Sequence, residues 1–183
     1  MKICIIYHSE TGNTRHIAQH IASATVDSHL VEVTDTAQHS SLTRFLMQCK
    51  AAMSEDKTTI EPSHLDVKEY DLLVFGSPVW AFRPTPAIHT IIDTLTGCEN
   101  KRAVAFVTCG GRPGQSKEVF KKWIESRGMK FMGFTSIDQK DIEDDAKNAG
   151  VVAFVSAAAP KLVIFRGDIL DRSVRPFAQV LFL

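Results

Sequence analysis

No apolar run in this 183-residue sequence approaches the ~18 residues that a membrane-spanning helix needs, so no membrane span is expected. No Cys-x-x-Cys pair is present either. Cys4, Cys49, Cys98 and Cys109 stand far apart, which argues against a zinc site or a redox dithiol. Neither charge is in excess: 21 Lys+Arg balance 21 Asp+Glu, without the basic bias of a nucleic-acid binder. The strand-like run from Met1 leaves no stretch for a signal peptide, and with unpaired cysteines it sets the expectation of a reduced, cytoplasmic protein. Three phosphate signatures are missing as well. No glycine pair meets the G-x4-G-K-[ST] pattern of a P-loop, and G-x-G-x-x-G is absent. A Cys-x5-Arg phosphatase loop fails too, because Glu10 and Gln115 stand where Arg would follow Cys4 and Cys109. Paired acids after the first strand, which a response regulator needs, are replaced by Tyr7 and His8.

What is present is an alternation of strand-length apolar runs with segments of helical period, the pattern of βαβ units and a parallel sheet. Ile3–Tyr7 is apolar without a break, as in a strand covered on both faces. Further strands are expected at Leu30–Val33, Asp71–Gly76, Ala103–Thr108 and Lys130–Ile137. The first helix should carry Ile17, Ile21 and Ala24 on its apolar stripe. A second helical pattern covers Leu42–Met53. A third follows Thr85-Pro86, an N-cap and a first-turn proline, and a fourth bears Val119, Phe120, Trp123 and Ile124. A last helix starts near Asp141 and ends before Pro160, although Gly150 and a cluster of valines weaken its propensity. The fold class is therefore α/β: a doubly wound, five-stranded parallel sheet with helices on both faces. It spans residues 1–160, with a C-terminal extension at 161–183 that contains a strand-like run at Leu162–Phe165.

In such a sheet, ligands bind beyond the carboxyl ends of the strands, and three loops there are unusual. Ser9-Glu10-Thr11-Gly12-Asn13-Thr14 joins a buried strand to a helix. Its hydroxyls, together with free N–H groups at a helix start, suit a phosphate held by neutral donors. A turn that merely caps the helix explains the same residues equally well. Ser77-Pro78-Val79-Trp80-Ala81-Phe82 places aromatic rings where a flat heterocycle could stack, unless Trp80 simply packs on the domain. Thr108-Cys109-Gly110-Gly111 lets backbone approach a planar edge, or forms an ordinary turn. Three such loops at one end are less readily explained by chance than any one of them. His16 and His20 have a metal-ligand spacing, but no third ligand accompanies them in sequence, so no metal is assigned.

The run I-I-Y-H-S-E-T-G-N-T resembles the signature of the flavodoxin family, in the broad sense that includes flavodoxin-like FMN and quinone reductases. G-S-P-V-W and C-G-G-R-P-G resemble its two ring-binding loops, and the similarity covers about Met1–Gly150. The resemblance implies FMN as cofactor, with its phosphate at Ser9, Glu10, Thr11, Gly12, Asn13 and Thr14. Ser77, Pro78, Val79, Trp80 and Phe82 would flank the ring, and Thr108, Cys109, Gly110 and Gly111 would border its edge or the ribityl chain. The flavin would carry the chemistry, so no catalytic side chain is assigned. The chain departs from the family in being neutral rather than acidic and in having no aromatic between Cys109 and Ser116. Three functions follow: an electron carrier between redox partner proteins, a reductase using a nicotinamide or quinone substrate, or a non-catalytic flavin-fold interaction or sensor domain.

Overall fold

Every side chain of Ile3–Tyr7 is buried, because successive strand residues point to opposite faces and here both faces are covered. The computed structural model describes residues 1–37 and 57–159. The expected helix over Leu42–Met53 and the extension at 161–183 lie outside the described residues. The central sheet contains β1 (Ile3–Tyr7), β2 (Ser28–Glu32), β3 (Leu72–Trp80), β4 (Arg102–Cys109) and β5 (Lys130–Asp138). Its order is β2-β1-β3-β4-β5, with all four neighbouring pairs parallel. This is the doubly wound arrangement expected from the sequence. A two-residue strand, Arg83–Pro84, adds an antiparallel pairing to the end of β3.

Four α-helices are described: α1 (Asn13–Ala24), α2 (Pro86–Thr94), α3 (Ser116–Ser126) and α4 (Asp145–Ala158). Among the described residues, none is long and apolar enough to cross a membrane. Ile3, Ile5 and Tyr7 face α1 and α4, packing with Ile17, Ile21, Val151 and Val155. Cys4 and Ile6 face the other way, in a core with Ile88, Ile91, Phe120, Trp123 and Ile124 from α2 and α3. Burial there pushes the Cys4 thiol up to about 12, so this cysteine is a small apolar packing residue.

Three local expectations change. Ala24 is exposed at the end of α1, and Ala18 is the alanine that the core buries. β3 does not stop at Gly76 but continues to Trp80. The last helix begins at Asp145, after a 3-10 turn at Gln139–Asp141. It forms despite Gly150 because Asp144 caps it and the core buries Val151 and Val155, so packing outweighs propensity.

Candidate functional site

Each βα turn of a parallel sheet opens at the same end, so the three unusual loops become neighbours. In the first, β1 ends and Gly12 turns the chain into α1 at φ 94°, a left-handed conformation that glycine adopts without a Cβ penalty. Space around a Cβ at this glycine is empty out to 4 Å. Gly12 supplies no capping side chain, and the first turn of α1 holds no acidic residue. Ser9 Oγ accepts the N–H of Arg15 at 3.2 Å. Among the described residues, no hydrogen bond uses the N–H groups of Asn13 and Thr14. These are orphan donors of a helix start, and the macrodipole adds to their attraction for an anion. Arg15, the cation that follows the loop in sequence, is committed elsewhere. Arg15 Nε donates to Glu32 Oε2 at 3.1 Å, and Tyr7 Oη donates to the same oxygen at 3.2 Å. The hydrogen bond from Arg15 holds the Glu32 carboxyl below its ordinary range.

The second segment, expected as a loop, is the outer part of β3 and a tight hairpin. Val79 pairs with Pro84 and Trp80 with Arg83, leaving Ala81 and Phe82 as the two-residue tip. Both tip residues have positive φ, 46° and 65°. That is the pattern of a turn normally made by Asn-Gly. Left-handed backbone costs a residue with a Cβ about 1–2 kcal/mol, so something must hold the tip. The N–H of Gln115 donates to the Phe82 carbonyl at 2.8 Å, and Arg83 Nη2 donates to Gln115 Oε1 at 3.1 Å. Gly114, at φ 59°, lets the tip approach; a Cβ there would lie 2.7 Å from Phe82 Cα. At the base, Ser77 Oγ accepts the N–H of Thr85 at 2.9 Å and lies 3.2 Å from Thr85 Oγ1. Thr85 does stand at the N-cap of α2, as its sequence suggested, but its hydroxyl joins the hairpin instead of capping the helix.

The third loop leaves β4 at Thr108 and Cys109, both buried. Cys109 Sγ donates to the Ile137 carbonyl at 3.8 Å, and burial pushes its thiol up, so it is an unreactive packing residue. Gly110 and Gly111 are exposed, with open space where side chains would be.

The three segments are tied pairwise. Thr14 Oγ1 and Thr108 Oγ1, 94 residues apart in sequence, meet at 2.9 Å and join the first to the third. The His8 ring meets Trp80 edge to face at a 5.7 Å centroid distance, joining the first to the second. Gln115 and Phe82 join the second to the third. Ser9, Gly12 and Asn13 are half-buried, and Glu10 and Thr11 are exposed. Thr14 is buried against Thr108. Pro78 and Val79 are half-buried, Trp80 is buried, and Phe82 is 65% exposed. A hollow of about 370 Å³ opens beside the tip, lined by Ala81, Phe82, Arg83, Gly114 and Gln115.

The sequence pattern singled out neither His8, which lies between the expected strand and loop, nor the Gly114–Gln115 clamp. His8 is only 3% exposed, and its Nδ1 donates to the Val33 carbonyl at 2.7 Å. A signal for its burial exists, since it continues the alternation of Cys4 and Ile6. Nothing local announces the clamp, because it acts across 32 residues. His16 and His20 rings are tilted at a 4.6 Å separation. Among the described residues, no group of three metal-ligating side chains is present.

The model of the family of NADPH-dependent FMN reductases matches residues 1–133. No curated protein matches the chain. Among solved structures, a flavoprotein of Lactobacillus acidophilus in complex with FMN is 23% identical with a TM-score of 0.59, covering 79% of this chain and 98% of that one. Oxidised flavodoxin 2 from Bacillus cereus is 18% identical with a TM-score of 0.55, covering 86% and 97%. General stress protein 14 of Treponema denticola, in complex with FMN, is 12% identical with a TM-score of 0.54, covering 86% and 99%. At these identities the likeness is one of fold, and the fold is flavodoxin-like.

Proposed function

Given that this chain belongs to the family of NADPH-dependent FMN reductases, we propose that it holds one FMN across its three loops and passes electrons to it from a nicotinamide dinucleotide. The observation that carries this reading is the α1 start, where a glycine cap and two unused N–H groups adjoin loops already tied together. Residues and group fit. The N–H groups of Asn13 and Thr14 and the hydroxyls of Ser9 and Thr11 would hold the phosphate, with Glu10 and Gly12 shaping the loop. Thr14 and Thr108 have two hydroxyl protons and use one between them, which leaves one to donate outward.

Pro78, Val79 and the exposed Phe82 would give the ring an apolar wall that excludes water. Trp80 supports this wall from behind, against His8. Gly110 and Gly111 would offer backbone to the ring edge, while the side chains of Ser77 and Cys109 are spent on holding their segments in place. Bound FMN supplies the redox chemistry, accepting hydride and releasing electrons singly or in pairs. The protein supplies binding, orientation and an open side. The third loop brings no aromatic, so that side remains accessible to a nicotinamide, which favours the reductase over a carrier serving redox partner proteins.

The test is to titrate the purified chain with FMN, follow quenching of flavin fluorescence, and then add NADPH. Quenching at micromolar protein followed by sustained NADPH oxidation is expected. Absence of quenching overturns the flavin reading. Quenching without NADPH oxidation, in a protein that single-electron donors still reduce, replaces the reductase with the carrier.

A further inference from the structure

The first basic residue after the loop assigned to phosphate engages a carboxylate of the chain itself. Ser9–Thr14 contains no Lys or Arg, and Arg15 follows at once. Arg15 is the third residue of α1, and its own N–H donates to Ser9 Oγ at 3.2 Å. Helical side chains lean toward the amino end of their helix, so the loop lies in the ordinary direction of this arginine. Its planar fork also suits a phosphate, which it can bind through two parallel hydrogen bonds.

In the structure that fork is closed on Glu32. Arg15 Nε donates to Glu32 Oε2 at 3.1 Å and Nη2 donates to Oε1, so both carboxylate oxygens are engaged. Glu32 is held in turn. It ends β2, stands opposite Tyr7 in the parallel register, and accepts the Tyr7 hydroxyl at 3.2 Å. Tyr7 ends β1, two positions before Ser9, so the carboxylate is fixed at the end of the sheet where the loop lies. Other N–H groups of the guanidinium remain, but its charge is matched. Arg15 is exposed and Glu32 half-buried. Such a pair contributes little to stability, so either residue can be replaced.

We infer that Glu32 sets how firmly the chain holds its flavin, by keeping the charge of Arg15 from the FMN phosphate. Two effects act in the same direction. The carboxylate neutralises the arginine that follows the loop, and it adds a negative charge at the end of the sheet that receives the phosphate. The phosphate is left to the neutral donors of the loop, and FMN binds more weakly than an unmatched Arg15 would allow. Riboflavin, which lacks the phosphate, is indifferent to the pair.

The inference rests on the FMN reading, and riboflavin separates the two. Both flavins are titrated into the full chain and its variants at low ionic strength, where exposed charges act most strongly, and fluorescence quenching is followed. Glu32→Gln keeps an oxygen for Tyr7 and loosens the hold on Arg15. FMN should then bind about fivefold tighter, and added salt should erase most of the gain. Arg15→Gln leaves Glu32 uncompensated and should weaken FMN binding by a similar factor. The double variant, neutral at this pair like the wild type, should return FMN affinity to near its starting value. Riboflavin affinity should stay the same throughout. FMN affinity unchanged or reduced in Glu32→Gln, or riboflavin affinity rising alongside it, overturns the role of Glu32 and leaves the flavin site standing. Should Glu32→Gln not fold, Arg15→Gln tests the same charge from the opposite side, and unchanged FMN affinity there overturns the inference equally. If the wild-type chain binds neither flavin, the site assignment itself falls.

Discussion

Helices α1 and α4 pack on the same face of the sheet and both begin at its carboxyl end, yet they start in opposite ways. At α4 the Asp144 carboxylate accepts from the N–H groups of Ala146 and Lys147, at 2.9 and 3.2 Å, and Asp145 adds a second negative charge. At α1 a glycine stands in that place, the first turn has no acid, and the N–H groups of Asn13 and Thr14 are unused among the described residues. Both helices have a macrodipole, so the dipole does not single out a ligand site. The difference is the origin of the anion. α4 carries its own, whereas at α1 no described residue caps the helix with a side chain, and the proposed function gives that position to the FMN phosphate.

The sharpest way to break this contrast is to give α1 what α4 has. Gly12→Asp puts a carboxylate at the α1 start and strains a left-handed position. FMN affinity should fall by about 100-fold or more, some 2.7 kcal/mol, in a fluorescence titration. Unchanged affinity would mean that the phosphate sits elsewhere. Thr14→Ala removes a hydroxyl shared between two loops and should weaken FMN binding about tenfold, in line with one hydrogen bond to a charged group. Riboflavin binding should change less, and an equal loss for both flavins would assign Thr14 to the ring instead. At the other helix, Asp144→Ala should lower unfolding stability by ~1 kcal/mol in urea, the usual worth of an N-cap, and leave FMN affinity alone. A large affinity loss there would show the two helix starts to be one site. His16→Ala, one turn into α1, should leave FMN affinity unchanged; a loss would place the phosphate further along the helix than the orphan donors do.

How far these features were legible depends on the range of the contacts that make them. β1 and the Ser9–Thr14 turn were readable because five consecutive apolar residues and a hydroxyl-rich run are local signals. α4 was harder to read: Gly150 and its valines argue against a helix, and the Asp144 cap together with the buried positions of Val151 and Val155 overrides them. The hairpin beyond β3 could not be read at all. Ala81-Phe82 is a poor sequence for a turn with two positive φ angles, and what imposes it is Gly114 and Gln115, distant in the chain. Thr85 shows a subtler failure. Its position at the α2 start was right, but its hydroxyl had two available bonds and tertiary structure chose Ser77, a competition that local pattern cannot decide. His8 fell between the expected strand and the expected loop, when the burial alternation of β1 runs one residue further.

The clamp on the hairpin also bears on how the protein can evolve. Phe82 is fixed through its carbonyl, which accepts from Gln115, and through main chain that abuts Gly114. Its ring, 65% exposed, takes no part in either contact. Side-chain identity at position 82 is thus separated from the geometry of the tip. A lineage can exchange that ring for another unbranched side chain, altering the exposed surface of the tip in a single substitution. Gly114, one contact away, has no such freedom.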